Sequence, residues 1–72
     1  MTRIKKSNEK LGKKIRKERK SLGYSQEELA ERVNISRTHM GHIEQGARSP
    51  SLEVLEKIAR ALRLKVRDLI TY

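Results

Sequence analysis

Apolar residues recur along most of this chain at helical spacing, and the pattern predicts helices and no strand. The first periodic stretch runs from about Ser7 to Leu22. Leu11, Ile15 and Leu22 fall at i, i+4 and i+11 on one stripe, with Arg19 on the same stripe at i+8. Gly23 is its predicted C-terminal stop. A second helix opens at Ser25, where Ser25-Gln26-Glu27-Glu28 has the form of a capping box. Its inward positions are Leu29, Ala30 and Val33. Asn34, a residue that tolerates the left-handed conformation, interrupts the pattern; Ile35 dips inward, and Ser36 caps a third helix that ends by Gly46. After Ala47-Arg48-Ser49-Pro50, Ser51 caps a fourth helix with Leu52, Leu55, Ile58, Ala59 and Leu62 on its inner stripe. A last turn or two, Val66 to Ile70, closes the set. The expected fold is all-α: five short helices forming one compact domain over residues 1–72, with residues 1–6 as a basic arm.

The second and third helices are joined by about three residues, so they must cross steeply. That is the geometry of a DNA-binding helix-turn-helix. Ala30 is small enough for the close crossing, Asn34 suits the turn, and Ile35, Met40 and Ile43 supply apolar anchors beneath the third helix.

Charge supports a polyanionic partner. The 72 residues carry 18 Lys and Arg against 9 acids, a net of +9. Residues 1–20 hold ten bases and two acids (+8), whereas residues 21–72 hold eight and seven (+1). Each phosphate neutralised by such a side chain releases condensed counterions, which favours nucleic acid. The chain lacks Cys, and no apolar run approaches the roughly 20 residues of a membrane span. A soluble, cytoplasmic protein is expected, with no membrane association.

A helical wheel divides the third helix. Met40, Ile43 and Glu44 share one face; Thr38, Gly41, His42 and Gln45 take the other, and Arg37 projects at the N-terminal end. Arg37, Thr38 and His42 are therefore the expected base-contacting residues, Arg37 with the donors for guanine O6 and N7. Gln26, His39, Gln45 and Arg48 are the expected contacts to the DNA backbone. Arg3, Lys5 and Lys6 of the arm could track the backbone or a neighbouring minor groove. His39 and His42, with Glu44 nearby, invite a metal reading. The glutamate turns to the opposite face, however, and the chain offers no further His or Cys, so no metal site is expected. No cofactor or enzymatic activity is expected either, because no glycine-rich phosphate loop or nucleophile–base pairing is present.

The stretch YSQEELAERVNISRTHMGHIEQGARSPSLEVLEKIARAL, residues 24–62, resembles the phage-repressor and Cro-type (Xre-like) helix-turn-helix family. The resemblance extends over about Leu11 to Ile70. Its motifs are Ser25-Gln26 opening the second helix, Leu29-Ala30 within it, Glu44-Gln45-Gly46 closing the third, and Pro50-Ser51-Leu52 entering the fourth. Asn34 stands where the family often has Gly, and His39 where Tyr is frequent, which weakens an inherited backbone contact at that position. The resemblance implies a lambda-repressor-like five-helix fold, a buried Arg19–Glu44 ion pair, and a backbone contact by Gln26. It also implies a transcriptional regulator binding double-stranded DNA as a homodimer on a palindromic operator. Leu64, Val66, Leu69 and Ile70 are the expected dimer interface; the competing account is that they close the monomer core. Arg37-Thr38-His39 is similar to the Arg-Thr-Tyr of restriction–modification controller proteins, which tilts the reading towards that type. An antitoxin-like interaction module and a non-specific nucleic-acid binder are the alternatives.

Overall fold

The computed structural model describes residues 6–70, so the expected roles of Arg3 and Lys5 lie outside the described residues, as does that of the Lys6 side chain. Five helices follow one another: α1 (Lys6–Ser21), α2 (Gln26–Arg32), α3 (Arg37–Glu44), α4 (Leu52–Ala61) and α5 (Val66–Ile70). Their starts are set by side-chain caps. Ser25, Ser36 and Ser51 each accept from the backbone N–H three residues on, at 3.0, 3.0 and 3.2 Å. At α2 the capping box is complete, with the Ser25 N–H donating to Glu28 Oε1 at 2.8 Å. That bond holds the Glu28 carboxyl below its usual range.

The helix ends share one device. α1 to α4 each finish with a left-handed residue, namely Gly23, Asn34, Gly46 and Arg63 at φ of 78°, 59°, 79° and 61°. After each, the next N–H reaches back to the carbonyl five residues earlier: Tyr24 to Arg19, Ile35 to Ala30, Ala47 to His42 and Leu64 to Ala59. Asn34 is the turn residue that the pattern requires. Arg63 carries no such signal in the sequence, since arginine has no special tolerance for this conformation.

Leu11, Ile15, Leu29, Ala30, Val33, Met40, Ile43, Leu55, Ile58, Ala59, Leu62 and Leu69 form the core. Three expectations change. Leu22 is 39% exposed, because α1 stops at Ser21 and the chain turns away at Gly23 before the leucine can pack. Leu52 is 67% exposed. It lies roughly 70° around the helix from the centre of the buried line Leu55–Ile58–Ala59–Leu62, in the first turn, beyond the reach of the core. Leu69, expected at a dimer interface, is fully buried in the monomer core. The five-residue α5 packs against both α1 and α4, and one large side chain must fill that junction.

Candidate nucleic-acid interface

The site is built around the inner face of α3. Met40 and Ile43 are fully buried. Beside them Glu44, 6% exposed, meets Arg19 of α1, which is 8% exposed. Arg19 Nε donates to Glu44 Oε2 at 2.7 Å and Nη2 to Oε1 at 3.1 Å, the parallel fork that guanidinium and carboxylate favour. The remaining Nη1 donates to the Tyr24 carbonyl at 2.8 Å, and Gln26 Nε2 donates to Glu44 Oε1 at 3.2 Å. One ion pair thus ties α1, the α1–α2 turn, the start of α2 and the end of α3 together. Among the described residues, no buried side-chain N or O atom lacks a partner. The Arg32 guanidinium sits 4.6 Å over the Tyr24 ring and braces the same turn from outside.

Two glycines set how closely α1 lies against α3. A Cβ at Gly12 would stand 2.5 Å from the Ile43 carbonyl oxygen and closer still to that of Glu44. A Cβ at Gly46 would stand 2.8 Å from the Glu9 Cα, at a position whose φ of 79° already disfavours a side chain. Sequence reading passes over Gly12. The available signal was a glycine inside a helix, where it costs about 1 kcal/mol relative to Ala unless packing needs it.

With α3 held in this way, its other face is presented to solvent. Arg37, Thr38, Gly41, His42 and Gln45 line one shallow depression together with Gln26 of α2. Arg37, Thr38, His42 and Gln45 are exposed and Gln26 is half-buried. Gly41 is not crowded: the nearest atom to a Cβ there would be Gln26 Oε1, at 3.5 Å. His39 is half-buried beside this depression, with its N–H engaged by the Ser36 cap, and Arg48 is exposed in the loop after α3. Neither lines the depression. His39 and His42 stand apart from Glu44, and among the described residues no group of three or more His, Cys, Asp or Glu could hold a metal ion. Of the expected dimer residues, Ile70 is 49% exposed, while Leu64 and Val66 are half-buried against the core. Among the described residues no helix is long and apolar enough to cross a membrane.

Two short helices joined by a tight turn, with a buried anchor face and an open polar face, have the architecture of a helix-turn-helix reader. The helix-turn-helix family model matches residues 15–69. The chain belongs to this family. It is 54% identical over 48 residues to an HTH-type transcriptional regulator of Methanothermobacter thermautotrophicus, covering 67% of this chain and 70% of that one. It is 40% identical over 62 residues to the control protein C.BamHI of Bacillus amyloliquefaciens, covering 85% and 76%. It is also 34% identical over 61 residues to the regulator SinR of Bacillus subtilis, 55% of whose length it spans. The structure of SinR in complex with DNA superposes with a TM-score of 0.80 at 34% identity, covering 85% of this chain and 98% of that one. The chain is a member of a family of DNA-binding transcriptional regulators, and its fold is that of their helix-turn-helix domain.

Proposed function

We propose that this protein is a sequence-specific regulator of transcription that binds palindromic double-stranded DNA as a homodimer, as a single helix-turn-helix domain of the restriction–modification controller type. The observation that carries the reading is the division of α3, whose anchor face is locked by Arg19–Glu44 while Arg37, Thr38 and His42 stand open around an uncrowded Gly41. Arg37 and Thr38, in the first turn, would read base edges, with His42 one turn further along the helix. Gln26 retains its second Nε2 hydrogen for a phosphate oxygen, and Gln45, His39 and Arg48 flank the groove. The similarity to C.BamHI supports the controller type. Exposed Ile70, with the adjoining half-buried Leu64 and Val66, is the surface on which two copies would meet. As a regulator of transcription the protein would act in the cytoplasm.

Selection of bound duplexes from a random pool tests the reading. The expected outcome is a two-fold symmetric sequence with half-sites about one helical turn apart, bound at least about 10³-fold more tightly than random duplex. Binding without sequence preference would defeat it. Sedimentation of an Ile70→Glu variant tests the interface, because an unchanged dimer would place it elsewhere.

A further inference from the structure

The reading face leaves most of the chain's positive charge unexplained. Eight of the nine net charges lie in residues 1–20, and apart from the arm residues Arg3, Lys5 and Lys6 none of the expected base or backbone contacts lies in that segment. Within α1, Lys13, Arg16 and Lys20 fall at i, i+3 and i+7, a stripe about 10 Å long on one side of the helix. All three are exposed, and none forms an ion pair among the described residues, unlike Lys14, which pairs with Glu18 at 3.6 Å.

The stripe adjoins the reader. Lys13 and Arg16 line a groove whose other walls are Glu9, Gln26, Gln45 and the Arg19–Glu44 pair. Gln26 and Gln45 also line the depression that holds Arg37, Thr38 and His42. The two concavities therefore share a wall, so this edge of α1 borders the face on which a duplex would sit. The close α1–α3 approach at Gly12 keeps this edge near the groove. Arg19 is not the cation on offer, because it is buried and its charge is already paired with the Glu44 carboxylate.

We propose that the Lys13–Arg16 edge of α1 is a second phosphate-binding rail, gripping the duplex backbone beside the recognition helix without reading sequence. The proposal rests on the DNA-binding reading above. Glu9 lines the same groove, and its carboxylate opposes the phosphate there. That gives the proposal a test of opposite sign.

The experiment measures affinity for a selected duplex and for a random duplex across a salt series. Substituting Lys13→Gln together with Arg16→Gln should weaken both duplexes alike. It should flatten the slope of log K against log salt by about 0.9 per contact, or about 1.8 per subunit. Lys57→Gln with Arg60→Gln removes the same charge from the groove between α2 and α4, and should leave the slope unchanged. Glu9→Gln should tighten binding to both duplexes at low salt. An unchanged slope in the Lys13/Arg16 variant would overturn the rail, as would equal flattening in the Lys57/Arg60 variant. Unchanged or weaker binding by Glu9→Gln would overturn it too. A parent protein that ignores the selected sequence would defeat the operator reading instead, and the slope on random duplex would still report on the rail.

Discussion

The two faces of α3 solve opposite problems with eight residues. The inner face carries Met40, Ile43 and a carboxylate whose partners come from α1 and α2. The outer face carries Arg37, Thr38 and His42, exposed and bordered by a glycine that nothing crowds. On the inside each atom is specified by a neighbour. On the outside the fold asks for almost nothing, and the residues are free to serve recognition. The same contrast holds between two glycines. Gly12 is required by the α1–α3 contact, whereas Gly41 costs helix stability with no packing reason.

Glu44→Ala should show the largest effect, a loss of about 3–5 kcal/mol in denaturant unfolding, because it leaves the Arg19 guanidinium buried without its carboxylate. A loss below about 1 kcal/mol would mean that water or the Tyr24 carbonyl satisfies Arg19 unaided. Gly12→Ala comes next. Helix propensity alone would stabilise by about 0.5–1 kcal/mol, but the new methyl group meets two backbone carbonyls that cannot rotate away. A net loss of about 1–3 kcal/mol is expected from thermal or denaturant melting, and a gain would show that the helices separate freely.

Arg37→Ala should invert the pattern. Its melting curve should match the parent's, while discrimination between the selected and random duplexes falls by about 1–3 kcal/mol. Equal weakening on both duplexes would make Arg37 a phosphate contact. The smallest effect belongs to Gly41→Ala, which should stabilise the fold by about 0.5–1 kcal/mol because the added Cβ makes only an ordinary contact with Gln26. If duplex binding weakens at the same time, the glycine serves close approach to DNA; if binding holds, Gly41 contributes nothing to the interface.

Much of this architecture could be read from local sequence. The caps Ser25, Ser36 and Ser51, the stop at Gly23 and the turn at Asn34 act within a few residues of themselves, and the helices begin and end within two residues of where those signals stand. The wheel of α3 likewise separates a buried Met40–Ile43–Glu44 line from the exposed Arg37, Thr38 and His42. The errors fall where a helix end or a second element decides burial. Leu22 and Leu52 fit a periodic stripe, but the stripe extends past the core that would cover them. Leu69 and Ile70 are adjacent apolar residues in one short helix, and only the packing of α5 on α1 and α4 sends the first inward and leaves the second exposed.

By itself, then, the sequence determined the helices, their boundaries and the polarity of each face, because capping, turn and periodicity are local physics. Tertiary structure decided what crosses between elements. It placed Gln26 on the Arg19–Glu44 pair, made Gly12 the point of closest approach, and set Lys13 and Arg16 beside the reading face. Those relations join residues as many as 32 positions apart, Gly12 and Glu44, and no local pattern carries them. They exist only once the core has fixed the distance between α1 and α3.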